Sequence, residues 1–283
     1  MPWTILTQSA LIAVLALCLA STRVTPAFAK ASEIPSPSPS PSTPPTASVS
    51  PQAAIHPSAA RGDEAFKKRN IAEKAKEALE LYREAYQADP KNSEHGWRLA
   101  VACYFVGHRL TPNEKEQEKI FNEGQLAGKQ ASELDPKCAP CQFWTAINMA
   151  LYGQAVGVVK MLFTLDEIQT RLKKVIALDP GYAGSGAYRL LGTIQWKLPG
   201  ILGGSNKRAK ENFEKAIETS PNETLNYLFL ARLLRKEYPE EDAKAIELAK
   251  QGLAVDKSKL ERVESFEALE DLRKFVAGQD VPR

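Results

Sequence analysis

The stretch Ala209-Lys-Glu-Asn-Phe213-Glu-Lys-Ala216-Ile-Glu-Thr-Ser-Pro221 decides how this chain is read. Ala209, Phe213 and Ala216 stand 4 and 3 residues apart, so they share one face of an α-helix, while charged residues cover the other. Small residues at two of the three positions let a neighbouring helix come close. Pro221, 5 residues further on, cannot continue the helix and forces a turn. The same spacing recurs as Ala78, Tyr82, Ala85, Pro90, as Gly124, Gly128, Ala131, Pro136, and as Ile168, Leu172, Val175, Pro180. A fifth copy, Ala245, Ala249, Gly252, ends on Lys257.

Before each later copy lies a second amphipathic segment, led by Trp97, Phe143, Tyr188 or Tyr227. Paired helices closed by a proline resemble the tetratricopeptide repeat (TPR). The prolines are 46, 44 and 41 residues apart, against about 34 in the standard repeat. The surplus is expected in the connections at 106–116, 151–164 and 197–204. Val263, Phe266, Leu269, Leu272 and Phe275 read as one further helix that covers the last apolar face. The expected fold is all-α: a right-handed solenoid of four to five TPR-like helix pairs with a C-terminal capping helix, over residues 63–283.

The segments ahead of the repeats read differently. Residues 10–20 are an unbroken apolar run, too short to span a bilayer, followed by Ala27-Phe28-Ala29. Residues 1–29 are therefore expected to be a cleaved signal peptide, which makes the protein exported, to the periplasm or beyond, with no stable membrane span. Cys18 follows Leu17 rather than a small residue, so lipid anchoring is not expected. Eight prolines between Pro35 and Pro57, set among Ser, Thr and Ala, make residues 30–62 an expected disordered linker. A net charge of +3 over 283 residues gives no support to nucleic-acid binding.

The block Leu151-Tyr-Gly-Gln-Ala-Val-Gly-Val-Val-Lys-Met-Leu-Phe163, the helix end Ile176-Ala-Leu-Asp-Pro180, and the loop Lys197-Leu-Pro-Gly-Ile-Leu-Gly-Gly-Ser205 narrow the comparison. Together they resemble the T component of tripartite ATP-independent periplasmic (TRAP) transporters, the TatT family. More weakly, the chain is similar to microtubule-dynamics regulators that carry related helical repeats. The TatT resemblance implies a periplasmic protein, able to form a trimer in the way of that family, that docks an extracytoplasmic substrate-binding protein and offers a groove for an apolar or anionic ligand. Pro199, Leu202, Gly203, Gly204 and Ser205 are the loop residues that carry it.

Counting along the first helices places Arg98, Trp144, Asn148, Tyr152, Arg189, Thr193, Trp196 and Arg232 on the concave side. Arginine forks suit carboxylates and the rings supply apolar walls, so this is the expected ligand or partner groove. The alternative is that the arginines are solvated and the tryptophans pack locally. Gly200–Ser205 reads as a tight turn, with anion binding by its backbone N–H groups as the other reading. Met161, Leu162 and Phe163 form an expected apolar interface. Cys138 and Cys141, at a helix start, are expected to form a short disulfide or to stand as two separate thiols in a turn, with thiol exchange as the less favoured reading. His95 beside these cysteines falls short of a tetrahedral set, so no metal, cofactor or catalytic group is expected. The expected function is binding: a TRAP-associated component, or alternatively a general envelope scaffold.

Overall fold

The computed structural model describes residues 55–260 and 262–279. The expected signal peptide and most of the expected linker lie outside them. Among the described residues there are eleven α-helices and no strand: α1 (Pro57–Lys67), α2 (Ala72–Ala88), α3 (Ser93–Arg109), α4 (Glu114–Leu134), α5 (Ala139–Val156), α6 (Val158–Leu178), α7 (Tyr182–Lys197), α8 (Asn206–Thr219), α9 (Thr224–Glu237), α10 (Asp242–Ala254) and α11 (Val263–Val276). They pack as five antiparallel pairs, α1 with α2 through α9 with α10, and α11 closes the end against α9 and α10. Odd-numbered helices form the inner row and even-numbered ones the outer row. Among the described residues no helix is long and apolar enough to cross a membrane.

The repeated spacing works as packing. Ala78, Tyr82, Ala85, Ile168, Leu172, Val175, Ala209, Phe213, Ala216, Ala245 and Ala249 are all buried. Close approach explains the small residues opposite them: a Cβ at Gly192 would stand 2.6 Å from the Phe213 ring. Each Asp before a closing proline ends its helix in non-helical backbone, extended at Asp135 and Asp179. Asp89, Asp135 and Asp179 each then accept the N–H two residues on, at 3.2, 2.9 and 3.1 Å, which pins the turn across the proline.

Two expectations are corrected. The first helix begins at Pro57, inside the span read as linker, because proline suits a helix's first position and Ala59 and Ala65 bury against α2. The long period comes mainly from longer helices rather than loops. The span 151–164 is helical except for Gly157, whose φ of 118° lets the chain turn in one residue between α5 and α6. Only 197–204 is largely a true connection, carrying a short 3-10 turn at Gly200–Leu202.

Candidate functional site: the inner channel

The inner row lines a pocket that is partly open to solvent, with about 530 Å³ of space between its walls and mouth. Tyr104 and Arg109 of α3, Phe143, Trp144 and Ile147 of α5, Arg189, Leu190 and Thr193 of α7, and Leu225 and Phe229 of α9 line it. Arg262 and Glu264, at the start of α11, complete the wall. One side is aromatic and aliphatic, and the other carries charge. Trp144 stacks on Tyr104 with ring centroids 5.2 Å apart, meets Phe143 edge-on at 5.0 Å, and donates its indole N–H to Tyr182 Oη at 2.8 Å. Burial pushes the Tyr104 and Tyr182 hydroxyls up to about 12, so both remain neutral.

Charge gathers where the two ends of the solenoid meet. Arg109 donates two hydrogen bonds to Glu267, at 2.6 and 2.7 Å. Glu264 sits 3.8 Å from Arg69 and 3.6 Å from Arg262. Burial by itself would raise the Glu264 carboxyl, but Arg262, Arg109 and Arg69 together hold it below the usual carboxylate range. Arg262 also donates to the Ala183 carbonyl.

That carbonyl belongs to an unusual turn. Ala183, Gly184 and Ser185 have φ of 53°, 63° and 58°, three successive residues in left-handed backbone. Each non-glycine residue there costs about 1–3 kcal/mol, so the surroundings must hold it. Arg189 does so by donating to the Gly184 carbonyl at 2.7 Å, to Ala183 at 3.3 Å, and to Asn226. Ser185 Oγ adds a 2.7 Å bond with Ser220 Oγ.

Of the eight residues expected in the groove, Trp144, Arg189 and Thr193 line the cavity. The other five do not. Arg98 is buried in an ion pair with Asp63 at 3.0 Å and another with Glu94, tying α1 to α3. Asn148 faces the helix interface, donating to the Ala100 and Trp144 carbonyls at 2.8 Å. Trp196 donates to Glu237 at 2.9 Å and is covered by Lys197. Arg232 pairs with Asp271 of α11. Tyr152 is half-buried beside the core. Counting along single helices cannot foresee these partners: Asp63, Glu237 and Asp271 come from other helices. Arg109, Arg262 and Glu264 escaped the sequence reading because no local pattern announces a contact between chain ends.

The loop is built as a tight turn, with four of its N–H groups engaged internally: Leu202 and Gly204 with Pro199, Gly203 with Gly200, and Ser205 with Gln195. A Cβ on Gly204 would overlap the Leu198 carbonyl, which explains the second glycine, and Ser205 caps α8 through the Arg208 N–H at 3.3 Å. Met161 is corrected as well, being a buried core residue against Gly153, with Leu162 half-buried. Phe163 stands out at 84% exposed and Ile201 at 95%. Cys138 and Cys141 are joined in a disulfide at the start of α5, with Cys141 fully buried. Cys103 is a buried free thiol, and burial pushes its pKa up.

The fold defines the class: a TPR-like helical solenoid. TTC0263, a thermophilic TPR protein of Thermus thermophilus, matches with a TM-score of 0.53 and 18% identity, over 77% of this chain and all of that one. MamA of Desulfovibrio magneticus RS-1 is similar at a TM-score of 0.43 and 16% identity, over 73% of this chain and 99% of that one. Residues 59–198 match the family of regulator of microtubule dynamics protein 1-3. No curated protein matches the chain.

Proposed function

We propose that this chain is a non-enzymatic, exported binding scaffold whose inner channel takes an acidic ligand or an acidic segment of a partner protein. The observation that carries this reading is the channel, with apolar walls at Trp144 and Phe229 and arginines 109, 189 and 262 on its lining. Arginine's planar fork suits carboxylates, and apolar walls exclude water from the pair. In its finer form the partner is an extracytoplasmic substrate-binding protein, in the manner of the TatT components that the loop at 199–205 resembles. Self-association through the apolar tip at Phe163 belongs to the same reading.

Affinity capture with the tagged full-length chain from its native envelope, read by mass spectrometry, is the test. Recovery of a substrate-binding protein supports the transporter role, and recovery of unrelated envelope proteins makes the chain a general scaffold. A second reading follows from the family match over residues 59–198: a regulator of microtubule dynamics. Recovery of tubulin in the capture would favour it and overturn export.

A further inference from the structure

The pocket on the inner row is complete only with α11 in its seat. Arg262 and Glu264, at the start of that helix, form part of the lining, and Ala268, Leu269, Leu272 and Phe275 anchor the helix in the core. The space between walls and mouth, about 530 Å³, falls within the ~300–1,000 Å³ of small-molecule sites. Its apolar side is built before any ligand arrives. Trp144 is held by Tyr104, Phe143 and Tyr182, and a Cβ on Gly186 would stand 2.6 Å from the Phe143 ring, so the aromatic wall is tightly packed.

The polar side carries two buried atoms without a hydrogen-bond partner, Arg109 Nε and Glu264 Oε2. Both residues line the pocket, and both side chains are nine-tenths buried. Arg109 uses its two terminal nitrogens on Glu267, which leaves Nε–H as a donor. Glu264 Oε2 stands 3.8 Å from Arg69 and 3.6 Å from Arg262, too far for a hydrogen bond. Buried charged groups lose stability by such unmade bonds, and a ligand presenting one acceptor and one donor would make both. The neighbours decide its charge. Arg69, Arg109 and Arg262 face two carboxylates, Glu264 and Glu267, so one positive charge is in excess. Arg189 on the lining and Glu223, which acts on Arg262, offset each other. The ligand's acceptor is therefore a carboxylate. Its donor is neutral, because an ammonium at Glu264 would meet Arg69 and Arg262. A hydroxyl fits.

We propose that the pocket binds a small apolar 2-hydroxy acid. Its carboxylate accepts from Arg109 Nε–H, its hydroxyl donates to Glu264 Oε2, and its side chain lies among Trp144, Ile147, Leu190 and Phe229. The proposal rests on the reading above that the inner row is the binding surface, and it names a small molecule as the occupant with α11 staying in place. Discrimination comes from the hydroxyl. An acid lacking it leaves Glu264 Oε2 buried and unpaired, the kind of loss that separates close analogues most strongly.

The test is a calorimetric titration of the full-length chain at neutral pH with phenyllactate and 2-hydroxyisocaproate. Each is compared with its deoxy counterpart, hydrocinnamate or isocaproate, and with its amino counterpart, phenylalanine or leucine. The hydroxy acids should bind at least about tenfold more tightly than either counterpart. Glu264→Gln should narrow the gap between hydroxy and deoxy acids to about threefold or less, because a neutral amide is the weaker acceptor. Arg109→Lys keeps a cation for Glu267 but removes Nε–H, and should weaken both acids alike. Where a variant fails to fold, the ranking on the unaltered chain decides. Equal binding of hydroxy and deoxy acids, or a gap that Glu264→Gln leaves unchanged, overturns the hydroxyl contact and leaves an acid site standing. Tightest binding by the amino acids overturns the proposal, and so does binding by none of these compounds. A partner protein recovered by affinity capture in that last case leaves the binding function standing. Hydroxy-acid binding without any captured partner supports the pocket's ligand and removes the protein-docking reading.

Discussion

Arg109 and Glu267, 158 residues apart in the chain, close on each other through two parallel hydrogen bonds of 2.6 and 2.7 Å. This pair joins the second helix pair to the terminal helix across the inner row. Glu267 keeps 27% of its side chain in solvent, whereas Arg109 keeps 10%, so the arginine carries the larger desolvation cost. Arg109→Met also strips Glu264 of one of the charges that hold it ionised. The expected loss is about 2–4 kcal/mol, seen as a lower urea midpoint with an unchanged slope. Glu267→Gln, which keeps one hydrogen bond and a route to water, should cost about 1 kcal/mol.

Stability should also depend on acid. Glu264 has its folded pKa depressed below the usual carboxylate range, through Arg262, Arg109 and Arg69 acting against burial. A depressed carboxylate contributes stability that is complete above its unfolded value and is lost as pH falls through the folded one. Stability should therefore hold down to about pH 4.5 and drop below it. Denaturant titrations of the Glu264→Gln chain should show a shallower fall in that range, and an identical slope would remove Glu264 as the cause.

Arg189 is a scaffold for backbone as much as a channel residue. Its guanidinium satisfies two carbonyls of the left-handed turn and the Asn226 side chain. Arg189→Ala should cost about 2–4 kcal/mol, because buried acceptors lose a charged donor and the strained turn loses its holder. Amide exchange at residues 183–186 should accelerate more than at α3, a pattern that simple loss of ligand contact would not produce.

Met161 and Phe163, adjacent but one in sequence, should behave oppositely. Met161 is 2% exposed and Phe163 84%. Met161→Ala should lose about 2–4 kcal/mol through the cavity it leaves. Phe163→Glu should change stability by no more than about 0.5 kcal/mol. Sedimentation of the Phe163→Glu chain then reports on self-association alone: a shift to monomer supports the interface, and an unchanged distribution ends it.

Much of the architecture was legible in the 4-3-5 spacing, since a helix face and a proline stop are local properties. All five even-numbered helices fall where Ala78, Gly124, Ile168, Ala209 and Ala245 place them. The cap at Val263–Val276 was legible too. The first inner helix was not, because Pro57 and the alanines after it share the composition of the preceding linker. The length of α5 and α6 was hidden by Gly153 and Gly157, of which only Gly157 breaks the helix.

The channel was legible only in part. Trp144, Arg189 and Thr193 follow from the register of single helices, which sequence determines through the 3.6-residue turn. Arg98 and Trp196 carry the same local signal, yet they are engaged by Asp63 and Glu237, partners that no spacing rule could supply. What the sequence determined by itself is therefore the set of helices, their apolar faces and their stops. Only the tertiary structure decided that Arg69, Arg109 and Arg262 converge on Glu264 and Glu267. Small rotations between successive pairs add up along a solenoid, and their sum, which is absent from any one segment, brings its two ends together.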